Sequence, residues 1–123
     1  MTDMCVQSAD RIVLRFTRKE LSALLSLLSL GALPGTDIVP QTPDEETLVS
    51  LQEGEWIVRG DKCCMVDRIA AMVLTNMACG SVTKTGQSEF GREILYACRQ
   101  MSALLTDNGG KWIRIEPIQT VVS

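Results

Sequence analysis

The chain has 123 residues, of which 46% are hydrophobic, so it can form the core of one domain of ordinary size. Its formal net charge is −3 and its lysines and arginines do not cluster, which argues against nucleic-acid binding because a phosphate-binding surface needs neighbouring cations. The absence of histidine excludes catalytic pairs of histidine with serine or cysteine.

The first predicted elements are a tail, a strand and a leucine-rich helix. Residues 1–10 predict a tail, and residues 11–16 are rich in β-formers, which is typical of a strand. Thr17 and Glu20 have the spacing of a capping box, so we expect a helix that begins there and runs about four turns to Gly31. A core helix is the main interpretation and a docking helix the alternative. Its apolar face comprises Leu21, Leu24, Leu25 and Leu28.

Residues 32–41 predict a loop, because Pro34-Gly35 is a turn signal and Pro40 blocks a regular element. Three apolar residues lie in this loop: Leu33, Ile38 and Val39. They either cover the core or face a partner, and the sequence leaves both interpretations open.

The next predicted elements are a short helix and a small hairpin. Residues 42–45 have the pattern of a second capping box with Pro43 at the first helical position, and Gly54 can close the helix. Residues 56–58 and 62–65 predict two strands around a tight turn at Gly60-Asp61. This helix–helix–hairpin order resembles a winged helix. Its second helix is acidic without any lysine or arginine, so it would repel DNA phosphates.

Asp67 predicts the N-cap of a third helix that ends at Gly80. Strands are then predicted at 81–85, 92–98, 101–106 and 111–116. The turn at residues 107–110 is the strongest hairpin signal, and we expect Pro117 to close the last strand. The apolar face of the third helix is predicted to comprise Ile69, Met72, Val73 and Met77.

These elements predict an α+β fold in which an antiparallel β-sheet packs against about three helices, with the winged-helix-like unit in the N-terminal half. We expect one domain over residues 11–118 and a C-terminal tail at 119–123. In the last strand one face carries Ile113 and Ile115, and the other carries Trp112, Arg114 and Glu116.

No motif in the sequence indicates catalysis or metal binding. The five cysteines include the adjacent Cys63 and Cys64, but no two are spaced as zinc ligands, so we expect buried free thiols. Phosphate-binding, dinucleotide-binding and zinc-protease motifs are missing. Arg59-Gly60-Asp61 spells an adhesive tripeptide but is ordinary turn chemistry. We therefore predict no catalytic residue, no cofactor and no metal.

The N-terminal stretch is polar, and the longest apolar stretch is short and interrupted by serines. We therefore expect a cytoplasmic protein with reduced thiols and without membrane insertion.

Three stretches together carry a family resemblance: "FTRKELSALLSLL", "TLVSLQEGEWIVRGDKCCMVDRIAAMVLTNMA" and "REILYACRQMSALLTDNGGKWIRIEPI". Their order resembles that of the EspG-like chaperones of type VII secretion systems, especially their half-size relatives in Gram-positive bacteria. The resemblance covers roughly residues 11–117 and is one of overall pattern. The chain would correspond to one half of the better-known members, which leaves homodimerisation open.

The resemblance implies a non-enzymatic cytoplasmic protein that binds a helical export substrate or a small helical accessory protein. A winged-helix-like regulator or another protein-interaction domain is the alternative. The resemblance assigns no binding residues, but apolar loops and sheet edges are natural docking surfaces. The predicted partner-binding residues are therefore Leu33, Ile38 and Val39 in the loop, and Arg99 and Met101 near the turn between the second and third strands of the meander.

Overall fold

The computed structural model describes residues 12–99, 101–109 and 112–118, so both predicted tails lie outside the described residues. Its architecture is the predicted α+β class, with three helices, a five-stranded antiparallel sheet and a small separate hairpin. The elements in chain order are β1 (Leu14–Thr17), α1 (Arg18–Leu27), α2 (Glu45–Glu53), β2 (Ile57–Arg59), β3 (Cys64–Val66), α3 (Arg68–Ala78), β4 (Ser81–Ser88), β5 (Gly91–Ala97), β6 (Ser102–Asp107) and β7 (Trp112–Ile118).

The large sheet has the strand order β1-β7-β6-β5-β4, so the first strand lies beside the last. The β1–β7 pairing sets Leu14 opposite Ile115 and Phe16 opposite Ile113, and all four side chains are buried. They belong to one core cluster that also contains residues of all three helices. One face of the sheet is therefore buried, because its alternate apolar residues pack with the helices.

Helix α1 begins with the predicted capping box. The Thr17 hydroxyl accepts a hydrogen bond from the Glu20 amide at 3.1 Å, and Glu20 accepts one from the Thr17 amide at 2.9 Å. The predicted end at Gly31 is wrong, because the helix stops at Leu27. Ser29 adopts a positive φ of 58°, and the Leu30 amide donates to the Leu25 carbonyl at 2.9 Å, which is the Schellman pattern.

Helix α2 differs from its prediction at its start and ends as predicted, with Gly54 as its C-cap. Its N-cap is Asp44, which accepts a hydrogen bond from the Thr47 amide at 2.8 Å, so the predicted capping box and the placement of Pro43 are wrong. Gly54 has a negative φ of −80°, and the next residue, Glu55, takes the left-handed conformation with a φ of 64°.

The small hairpin is present, but its strands are shifted from the predicted positions and its loop spans residues 60–63. The Gly60 amide donates to the Cys63 carbonyl at 2.7 Å across this loop. The helix–helix–hairpin order is therefore correct, whereas a winged-helix unit is not confirmed.

Helix α3 has the predicted N-cap, since Asp67 accepts a hydrogen bond from the Ala70 amide at 3.1 Å. Its predicted apolar face is half wrong: Ile69 and Met72 are 43% and 50% exposed. The buried face is instead formed by Ala70, Val73, Leu74 and Met77, which follow the i, i+3, i+4, i+7 spacing.

The meander also extends beyond its prediction. Strand β4 continues past its predicted end at residue 85 to Ser88, so a two-residue turn at Glu89 and Phe90 joins it to β5. Pro117 lies inside β7 rather than after it. It is tolerated there because, within the described residues, β1 pairs with β7 only as far as Ile115, and no ladder bond to β1 needs a proline N–H.

Candidate functional site

The five predicted binding residues do not form one accessible surface. Leu33 and Ile38 are 1% and 3% exposed and belong to the core, and Met101 is 9% exposed. Core packing therefore accounts for these three side chains, while Val39 and Arg99 are exposed. Partner binding by this set stays a prediction, and the structure gives only Val39 and Arg99 accessible side chains for it.

The loop around Leu33 is held on the inner side of the sheet by polar contacts. The Tyr96 hydroxyl donates to the Pro34 carbonyl at 2.6 Å. Arg18 forms ion pairs with Asp37 of the loop and with Asp107 of β6, the latter at 2.8 Å. Burial raises the pKa of Tyr96 to about 12, so its hydroxyl keeps its proton at neutral pH. These contacts make the loop a cover of the core, one of the two interpretations of its sequence.

The sheet edges are short or irregular. Strand β1 has four residues, and β4 carries a register shift between Val82 and Lys84. A bulge and an edge lysine are devices that hinder pairing with another strand. The edges therefore offer a poor template for strand addition, which leaves the outward face of the sheet as a candidate surface.

A polar row crosses this outward face at one level of the ladder. Arg15 of β1 lies opposite Arg114 of β7. Arg114 in turn lies opposite Thr106 of β6, and Thr106 lies opposite Glu93 of β5. The row ends at Gly86 of β4, where a Cβ would meet nothing within 4 Å. The cations therefore lie at the β1 side of the row and the carboxylate lies on β5.

Two aromatic side chains stand next to this row. Phe90, in the β4–β5 turn, is 68% exposed, and Trp112, at the start of β7, is 47% exposed. The row and the aromatics enclose an open groove of about 690 Å³, which we name the outer-face groove. Its lining residues are Arg15, Phe90, Glu93, Thr106, Asn108, Trp112 and Arg114.

The outer-face groove holds two arginines against one glutamate, in a chain whose net charge is −3. Arg114 forms an ion pair with Glu116 at 3.6 Å, and Arg15 forms none within the part of the chain that the structure describes. Like charges directly opposite each other in an antiparallel pair are destabilising. The Arg15–Arg114 juxtaposition is therefore unfavourable for folding by itself.

Sequence reasoning placed Trp112 and Arg114 together on the outward face of β7 but assigned them no role. It missed Arg15 and Phe90. The alternation of buried Leu14, exposed Arg15 and buried Phe16 could have shown that Arg15 faces outward. No local pattern could have shown that Arg15 meets Arg114, because that contact depends on pairing between the two ends of the chain.

A second exposed apolar feature lies on the small hairpin. Val58 pairs with Met65, and they are 67% and 68% exposed. The hairpin is tied to α2 by Arg59, which donates to Glu45 at 2.7 and 3.1 Å and thereby lowers the pKa of that carboxyl. Val58 and Met65 line neither the outer-face groove nor the groove at the start of α1 and α2, so they provide a control surface.

The cysteines are more accessible than expected. Cys63 and Cys79 are exposed, while Cys64 and Cys98 are partly buried, so the expectation of buried thiols is wrong for two of these four. Burial raises the pKa of the Cys98 thiol. In residues 12–99, 101–109 and 112–118, no group of three or more cysteine and acidic side chains is arranged to hold a metal ion.

Comparison of the chain with protein-family models, with curated proteins and with solved structures finds no match. The resemblance to EspG-like chaperones therefore stays a prediction. None of the helices in the described ranges combines the length and the apolar character needed to cross a membrane.

Proposed function

We propose that this protein is a non-enzymatic protein-binding module and that the outer-face groove is its binding surface. The observation that carries the proposal is the pair of exposed aromatic side chains, Phe90 and Trp112, which line one groove together with charged and polar side chains. Aromatic side chains are enriched at the energetic centres of protein interfaces. Core packing does not account for Phe90 or Trp112, because both side chains are exposed.

The position of Trp112 supports this role further. It also lines a second groove, of about 430 Å³, at the N-terminal ends of α1 and α2. Trp112 therefore stands between two concave surfaces at the β1 edge of the sheet. Burying such a large side chain under a partner removes much apolar area from water, which is worth about 25 cal/mol per Å² before the costs of association.

The more specific part of the proposal concerns the partner and rests on the order of elements in the sequence. We propose that the partner is a helical export substrate, or a small helical accessory protein, of a type VII secretion system. The protein then acts in the cytoplasm as a targeting chaperone.

A winged-helix-like regulator has less support. The helix that would read DNA, α2, begins with the exposed residues Glu45 and Glu46. Arg59, the neighbouring cation, is engaged by Glu45. This surface would repel phosphates rather than bind them.

The test is affinity purification of the tagged protein from its native cytosol, followed by mass spectrometry. We expect a near-stoichiometric helical partner that is lost from the double variant Phe90→Ser/Trp112→Ser. The matched control is Val58→Ser/Met65→Ser, which removes two apolar side chains of 67% and 68% exposure from the small hairpin and should retain the partner. Equal recovery with both variants would contradict the assignment of the groove. Recovery of nucleic acid in place of protein would favour the regulator.

A further inference from the structure

We infer that the outer-face groove selects an acidic segment of its partner, in which a carboxylate lies between Arg15 and Arg114 and an adjacent apolar side chain packs on Trp112. This inference rests on the proposed protein-binding function and adds the chemistry of the recognised segment.

The first support is the excess of positive charge at the β1–β7 pair, where Arg15 and Arg114 have one ion-paired carboxylate, Glu116, between them. Arg15 lies directly opposite Arg114 on an exposed sheet face. The side chain of Arg114 remains 41% exposed beside Glu116, and the 3.6 Å between their charged atoms is longer than a close charge-assisted hydrogen bond. An incoming carboxylate can accept hydrogen bonds from both guanidinium groups and removes the repulsion between them.

The second support is the polarity of the groove. Glu93 lies on the far side of Thr106 from Arg114, two strand spacings away, or about 10 Å. Within the described residues, no ion pair joins Glu93 to Arg15 or Arg114. A bound segment is therefore oriented, with its carboxylate over β1 and β7 and a hydrogen-bond donor or cation over β5.

The third support is the placement of the aromatic residues. Gly91 packs against the backbone of Asn108, which brings the β4–β5 turn and Phe90 to the end of the sheet where β7 begins. Trp112 is two residues before Arg114 on the same face of β7, and both side chains line the outer-face groove. A carboxylate at the arginines thus places the neighbouring side chain of the segment on the indole.

The same pattern disfavours nucleic acid as the occupant. A polyphosphate would meet the carboxylates of Glu93 and Glu116 on the same sheet face. A segment of mixed character, acidic at one point and apolar or basic at the next, fits both ends of the groove.

The experiment is selection of a random-peptide display library on the intact protein. The most enriched peptide and its version with every Asp and Glu replaced by Asn and Gln are then synthesised. We expect the amide version, and the variant Arg15→Gln/Arg114→Gln, each to weaken binding by at least about tenfold, and added salt to weaken binding of the acidic peptide. The control variant is Arg68→Gln, which changes an exposed arginine at the start of α3 that does not line the groove. It should bind like the wild type.

Thermal unfolding of the arginine double variant checks its fold. We expect its Tm to equal or exceed that of the wild type, because the substitution removes two opposed like charges. Selection of neutral or basic peptides, selection of none, or equal affinity for the acidic peptide and its amide version would overturn the inference.

The affinity purification separates this inference from the proposed function. A native partner lost with Phe90→Ser/Trp112→Ser but retained with Arg15→Gln/Arg114→Gln would leave the binding surface correct and the acidic segment wrong. A partner retained by both double variants would show that the groove itself was misassigned.

Discussion

The Tyr96 hydroxyl donates a 2.6 Å hydrogen bond to the carbonyl oxygen of Pro34, so this bond joins the end of β5 to the loop that covers the core. Tyr96 is 0% exposed, and the adjoining loop residue Leu33 is 1% exposed. The contact explains how a loop without regular structure stays on the sheet. It joins a buried phenol to a backbone oxygen that no helix or strand satisfies.

Removal of this hydroxyl should loosen the loop without changing the fold. We expect Tyr96→Phe to lower the free energy of unfolding by about 1–2 kcal/mol, because it leaves the Pro34 carbonyl without its donor. Denaturant unfolding measures the change. Hydrogen exchange should show faster opening of the Leu33 amide, which bonds the Ile38 carbonyl across the loop at 3.2 Å. Unchanged stability together with unchanged exchange would contradict this role.

The same tyrosine predicts a loss of stability in alkaline solution. Its folded pKa of about 12 is above the ordinary value of 10.0, because burial disfavours the phenolate. The unfolded chain therefore releases this proton first. The contribution of Tyr96 to stability is complete below about pH 10 and decreases as the pH rises toward 12.

Absorbance of the phenolate measures this titration directly, since the chain has a single tyrosine. Denaturant unfolding across the same pH range should show a decline that is smaller in Tyr96→Phe. A folded-state titration midpoint near 10 would contradict the burial argument.

The ends of α1 and α2 predict stabilising substitutions. Ser29 and Glu55 hold positive φ angles of 58° and 64°, which glycine adopts without the clash of a Cβ. We expect Ser29→Gly and Glu55→Gly each to raise the free energy of unfolding by about 0.5–1 kcal/mol, after the greater entropy of glycine in the unfolded chain is subtracted.

Gly31 is the matched control for these substitutions. It is the helix stop predicted from sequence, yet it has neither a positive φ nor any atom within 4 Å of a built Cβ. Gly31→Ala should therefore be neutral or slightly stabilising. Strong destabilisation by Gly31→Ala would mean that the helix ends where the sequence predicted.

The start of α2 gives the last prediction. Asp44 caps the helix through the Thr47 amide, and contacts with Thr47 and Lys19 lower its pKa to about 2. We expect Asp44→Ala to lower the Tm by about 4–6 °C, whereas Thr42→Ala, at the N-cap predicted from sequence, should change it little.

The stabilisation from Asp44 is present above its ordinary pKa of 3.8 and is lost as the pH falls toward 2, because the unfolded carboxylate takes up its proton first. Asp44→Asn retains a capping oxygen and should therefore remove most of this acid dependence while keeping most of the Tm. Calorimetry between neutral and acid pH measures both effects. If Thr42→Ala lowers the Tm as much as Asp44→Ala does, Thr42 is the N-cap, as the sequence predicted.

Much of the fold was accessible from local pattern. The capping box of Thr17 and Glu20, the N-cap of Asp67 and the alternation of β7 were predicted correctly because each depends on neighbours in the chain. The errors occurred where two local signals compete. Glycine predicted the end of α1 at Gly31, but the helix ends at Leu27 and Ser29 makes the turn, since the leucines that follow α1 pack on the core.

The sequence by itself determined the α+β class, the order of helices and strands and the inward face of β7, because capping and side-chain alternation are short-range properties. Only the tertiary structure decided that Leu33 and Ile38 are buried while Phe90 and Trp112 are exposed. It also decided that Arg15 faces Arg114, because the first strand pairs with the last and the register of that pair is a long-range contact. The candidate site consists of these long-range juxtapositions, which is why residues assigned from loop composition did not reveal it.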